Sequence, residues 1–148
     1  MSAAPQVAIS ISGSTVVAAQ IDWKKRIPIL GAYGHAYLEE DAVTPMVNGG
    51  NIVDVDSASE TIRRVIGQLT VVPSRIALIL PDIAGKVSLV RLATVPAKEA
   101  DLKELLRWKI GQSVPYPIED AQIAYSGGAV GVDGAREFVV SAVRRDVV

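Results

Sequence analysis

The chain has 148 residues, 49% apolar but only 5% aromatic, and a formal net charge of −1 from fifteen basic and sixteen acidic side chains. That length allows one ordinary domain or two small lobes, and an aliphatic core favours sheet packed on helix over a helical bundle. Without a basic excess the chain is a poor nucleic-acid binder, and with no cysteine and a single histidine, His35, it lacks disulfides, thiolate zinc sites, cysteine nucleophiles and histidine-rich metal sites.

Met1-Ser2-Ala3-Ala4-Pro5 lacks the charged and apolar regions of a signal peptide, and Ile76 to Leu80 is far too short to cross a bilayer. The default expectation is a cytoplasmic chain with no direct membrane insertion; attachment to a membrane through a partner stays open. Gln6 to Ile11 predicts a strand, Ser12-Gly13-Ser14-Thr15 a tight turn, and Val16 to Trp23 a second strand. After a polar turn at Asp22 to Arg26, Ile27 to Leu38 predicts a third strand, loosened by Gly31 and Gly34. Glu39 to Asn51, with Pro45 and Asn48-Gly49-Gly50, predicts a loop.

A helix should follow, with Ser57 as its cap, Glu60 completing a capping box, and Ile62, Val65, Ile66 and Leu69 on one side; Pro73 closes it. Asp54 and Asp56 could suggest a cation, but capping explains them better. Ile76 to Leu80, bounded by Pro73 and Pro81, suits a strand buried on both faces, and Val87 to Leu92 is another strand. In Lys98 to Gln112 the residues Leu102, Leu105, Leu106 and Ile110 form one helical stripe, with Trp108 off it. Gly111, Pro115 and Pro117 then stop that helix. Gln122 to Tyr125 resumes as a strand, Gly127-Gly128 and Asp133-Gly134 signal turns, and Glu137 to Val143 is the last strand. Arg144 to Val148 reads as the first turn of a helix that does not continue, as expected of a piece of a longer chain.

The order is strand, strand, strand, helix, strand, followed by a strand–helix–strand–strand insert. Val7 to Val16 as a hairpin, Gly50 to Asp54, Ala77 to Pro81, Leu92 to Pro96, Leu106-Arg107-Trp108 and Val114 to Asp120 together resemble the PilM family of type IV pilus assembly proteins. The block from Val114 to Asp120 is the most specific of these. The resemblance implies an α/β (α+β) fold: residues 1–81 as part of an actin-like, ribonuclease H-like first subdomain with a mixed sheet, and residues 82–148 as the insert lobe. It places the family's first phosphate hairpin at Ser12, Gly13, Ser14 and Thr15. Ser10 stands where the family motif carries an acid and Val17 where it usually carries a lysine. A serine and a valine supply neither a magnesium ligand nor a phosphate counter-charge, so no catalytic or metal-binding residue is expected.

The resemblance also implies a PilN-like inner-membrane partner whose short N-terminal cytoplasmic segment lies in the groove between the two lobes, alongside other pilus assembly proteins. Because an extended segment gains main-chain hydrogen bonds at a sheet edge, it is expected near Ile76, Leu78, Leu80 and the insert helix. No cofactor is expected for this stretch; binding of ATP with magnesium stays open for a full-length protein, without hydrolysis being expected of it. The favoured function is a non-enzymatic scaffold. The alternatives are an ATPase of the actin and sugar-kinase superfamily, or a type II secretion or cell-division component of the same fold. Exposed sheet edges make self-association or strand exchange an expected property.

Two candidate sites keep two readings each. The Ser12 to Thr15 turn is either a phosphate cradle or an ordinary hairpin turn. Trp108 and Tyr116 either form a docking surface, or Trp108 lies over the proline loop and closes the lobe. Lys103, Arg107 and Lys109 with Glu99, Asp101 and Glu104 read as a solvated, mixed-charge face, and His35 as a structural or surface residue.

Overall fold

The computed structural model describes residues 4–147. Alternating burial builds the first sheet: Val7, Ile9 and Ile11 on β1 (Val7–Ile11) and Val16, Ala18 and Gln20 on β2 (Thr15–Lys24) are buried, while the residues between them are less so. With β3 (Ile27–Tyr37) and β4 (Ile76–Ile79) these form a four-stranded sheet of order β3-β2-β1-β4. β2 runs antiparallel to β1 and β3, and β4 runs parallel to β1, so the sheet is mixed. Helix α1 (Val55–Ile66) covers one face with Ala58, Thr61 and Val65 buried and Ile62 and Ile66 half-buried.

The cap of α1 is Asp54, whose Oδ1 accepts the Ser57 N–H at 2.9 Å. Ser57 therefore lies inside the helix, and the expected Ser57–Glu60 capping box is replaced by the carboxylate one turn earlier. The helix also ends sooner than its apolar spacing suggested. Gln68 and Leu69 continue only as tight turns onto Val65 and Ile66 carbonyls.

β2 and β3 are joined through Lys25 and Arg26, both left-handed with φ of 47° and 69°. A two-residue hairpin with both central residues in this region matches the strand twist, but favours Asn-Gly over two long side chains. The Lys25→Asn, Arg26→Gly variant is therefore expected to raise stability by about 1 kcal/mol, read as a higher denaturant midpoint at unchanged slope.

β4 differs from expectation. Among the described residues it is an edge strand paired only with β1, and Ile76, Leu78 and Ile79 are 42%, 40% and 52% exposed. A continuous apolar run fits an open edge as readily as a buried strand, because periodicity cannot tell them apart.

The chain divides into two units: the residues up to Pro45 with Asn51–Pro81, and Met46–Gly50 with Asp82 onward. The short Met46–Gly50 segment thus groups with the second unit, where Asn48 Oδ1 accepts from Arg144 Nη1 at 3.1 Å and Val47 packs on the core. In that unit β5 (Gly85–Leu92), β6 (Ala121–Val130) and β7 (Arg136–Arg144) form an antiparallel sheet of order β5-β7-β6. Helix α2 (Glu99–Gly111) lays Leu102, Leu106 and Ile110 against Val90, Leu92, Phe138 and Val140. This is the apolar stripe read from the sequence.

Gly127 and Gly128 do not turn the chain. They lie within β6, where the register slips between Gly127 and Val130. The turn comes at Asp133-Gly134, with Gly134 at φ 78° and Asp133 held by Arg91. That guanidinium, together with the Ala135 N–H, keeps the Asp133 carboxyl below the usual carboxylate range. Arg145 and Asp146 form a turn after β7, and Val148 lies outside the described residues.

Candidate functional site

The β1–β2 hairpin gathers Ser12, Gly13, Ser14 and Thr15 and bonds largely to itself. Ser12 N–H donates to the Thr15 carbonyl at 2.9 Å and Thr15 N–H to Ser12 Oγ at 3.1 Å, and the two hydroxyl oxygens lie 2.8 Å apart. The amides of Ser12 and Thr15 are thus engaged inside the turn rather than offered to an anion. Gly13 has no positive φ, and an added Cβ would meet Pro45 Cδ at 3.4 Å, an ordinary contact. This geometry is that of a serine-braced hairpin turn.

Ser10 and Val17 are direct cross-strand partners. Their row continues to Ile79 on β4 and His35 on β3. Strand alternation sets all four on the sheet face opposite α1. The row contains no carboxylate and no lysine, so it holds neither the oxygen anion that positions hydrated magnesium nor a fixed cation for phosphate. His35 is exposed, its ring 5.7 Å from that of Tyr33 and 6.4 Å from that of Tyr37. It belongs to an aromatic strip on β3.

Of the residues expected to meet a partner, Ile76 and Leu78 are exposed on the β4 edge strand and Leu80 is half-buried just beyond it. Trp108 is 61% exposed on α2, with Lys109 Nζ 5.6 Å from its ring centroid. Tyr116 corrects the expectation of a shared aromatic surface. It is 7% exposed and packed in the core of the second unit, so it closes that lobe from within, whereas Trp108 faces out. The Lys103–Glu99 pair at 3.3 Å, both exposed, fits the solvated face read from the sequence.

Tyr116 Oη has no hydrogen-bond partner among the described residues. Burial pushes the phenol above its ordinary value, and the Arg144 charge offsets part of that rise. A raised folded-state value means the neutral phenol is favoured in the fold. Its contribution is complete below the unfolded value of about 10 and is lost as pH rises through the folded one. Tyr116→Phe should stabilise the protein by about 1 kcal/mol at neutral pH and flatten the fall in denaturation midpoint under strongly alkaline conditions.

Two clefts escaped the sequence reading. In the first unit, Pro5, Gln6, Trp23 and Val71 to Arg75 line a cleft of about 460 Å³, signalled only by Trp23 at the end of an alternating strand. In the second unit, Lys103, Glu104, Arg107, Ala121 to Ile123, Tyr125 and Arg145 line one of about 410 Å³. Its signal was present in Lys103 and Arg107, four apart on α2, and in a strand of ten residues that carries no charge. Among the described residues no helix is long and apolar enough to cross a membrane.

No protein-family model matches the chain, and no curated protein does. Among solved structures the chain is similar to one described as a PilM-PilN type IV pilus biogenesis complex, with a TM-score of 0.76 and 14% identity, over 95% of this chain and 40% of that one. The chain therefore spans less than half the length of that neighbour. Likeness at this identity shows a shared PilM-like fold, in keeping with the mixed sheet and the two helices found here.

Proposed function

We propose that the chain is part of a non-enzymatic, actin-like scaffold in a type IV pilus assembly or related secretion machine. It works on the cytoplasmic side and docks to the inner membrane through the short cytoplasmic segment of a PilN-like protein. The observation that carries this reading is the fold it shares with a PilM-PilN complex. The self-bonded hairpin and the Ser10–Val17 pair support a body that does not turn over nucleotide. The open β4 edge offers unpaired main-chain groups beside exposed Ile76 and Leu78, which suits an added extended segment.

Calorimetric titration of a well-folded, full-length version with a synthetic peptide matching such a segment tests this. A dissociation constant on the order of micromolar is expected, weakened about tenfold or more by Leu78→Asp. Absence of binding would overturn the partner assignment. Magnesium-dependent nucleotide binding abolished by Gly13→Val would instead favour the ATPase alternative.

A further inference from the structure

We propose that the cleft between α2 and the free edge of β6 takes an extended, acidic peptide segment, added as a strand beside β6 with its carboxylates against Arg107 and Arg145. β6 ends the sheet order β5-β7-β6, so one side of its backbone has no strand partner among the described residues of this unit. Ala121, Gln122 and Ile123 line the cleft in succession, with Tyr125 beyond them. Consecutive residues point to opposite faces of a strand, so a cleft that touches both sets runs along the edge rather than over one face. Within β6, AQIAYSGGAV, there is no charged residue and no proline, the usual devices that keep an edge from pairing.

The rim gives the occupant its charge. Lys103, Arg107 and Arg145 line the cleft against one acid, Glu104. Arg107 Nη2 donates to the Ile118 carbonyl at 2.6 Å and Arg145 Nε to the Ala121 carbonyl at 3.4 Å, so backbone acceptors hold both guanidinium groups in place. Neither is in an ion pair among the described residues, where the ion pairs are Arg91–Asp133, Lys103–Glu99 and Arg144–Asp146. Each guanidinium keeps further N–H donors in the fork geometry that carboxylates match. Half-buried Ile123 and Tyr125 give the floor apolar surface for alternate side chains of the guest. A second copy pairing β6 with β6 would bring the same cations together, which disfavours it.

The test uses the whole chain and two blocked heptapeptides, one alternating valine with glutamate and one alternating valine with lysine. Backbone amide spectra and hydrogen exchange are followed during each titration. The glutamate peptide should shift the amides of Gln122 to Ser126 and protect those of Ile123 and Tyr125, which point away from β7, and the lysine peptide should not. The Lys103→Glu, Arg145→Glu variant should weaken the response at least tenfold. Lys103→Glu alone, at an exposed position, should weaken it measurably and serves if the double variant does not fold. Equal responses to both peptides, shifts that avoid β6, or the same β6 shifts from a single-stranded RNA oligomer would overturn the proposal. Its outcome is separate from that of the β4 experiment, since the two edges lie in different units.

Discussion

Leu106→Ala is expected to lower stability by about 3–5 kcal/mol, the upper part of the range for a buried leucine. The side chain is fully buried at 0% exposure, at the middle of the α2 stripe, among Val90, Leu92, Phe138 and Val140. This core is a single helix on a three-stranded sheet. Leu102 and Ile110 fix the helix one turn to either side, so the wall cannot collapse into the space a missing isobutyl group leaves. A loss of that size is comparable with the whole stability of a small domain, about 5–15 kcal/mol. Denaturant midpoints would measure it, and hydrogen exchange should accelerate in α2, β5 and β7. Leu105→Ala, at a half-buried position of the same helix, should cost clearly less. Similar losses at both positions would show that the core does not depend on the packing described.

How far the fold could be read from the sequence depended on how local its cause was. The α2 stripe and the β1–β2 hairpin arise from spacings of a few residues, and both appear where the sequence set them. The sequence offered two caps for α1, Ser57 and Asp54, and the structure selects Asp54, because both are good caps and only the path of the preceding loop decides between them. The exposure of β4 was not legible, since a run of Ile, Ala, Leu and Ile carries no mark of whether a strand lies on both sides of it. Gly127-Gly128 misled for a related reason. Glycine marks a bulge or a turn equally well, and the ladder to β7 settles which.

At the candidate site, Ser10 and Val17 were noted separately in the sequence, and only the register revealed that they face one another. Tyr116 followed a proline, which hid its direction, and it turned inward. The basic cleft needed α2, β6 and the turn after β7 to meet, a juxtaposition of residues from 103 to 145 that no short window contains.

Gly34→Val provides the sharpest test of the first unit, because local and tertiary effects have opposite signs there. Strand propensity alone predicts a gain, since valine favours a pleated surface and glycine weakens a strand interior. The structure predicts a loss of about 3 kcal/mol or more. A Cβ at Gly34 would lie 2.7 Å from the Val65 carbonyl oxygen and 3.0 Å from Gln68 Cβ. The nearer of these is helix-end backbone, which cannot swing aside as a flexible side chain can. α1 would have to lift from β3, exposing Val65 and Ala58, now 0% and 2% exposed. It would also carry off Gln68, whose carboxamide accepts from the His35 N–H and donates to the His35 carbonyl, both at 3.2 Å. That pairing covers main-chain groups on the outer edge of β3, so its loss should speed exchange at the His35 amide and promote association in sedimentation. Gly31→Ala is the control on the same strand: the atoms nearest its Cβ would be those of the Asp22 carboxylate, the end of a side chain that can rotate away at the cost of its hydrogen bond from Gln20. If Gly34→Val proves no worse than Gly31→Ala, the glycine merely loosens the strand and the helix does not depend on it.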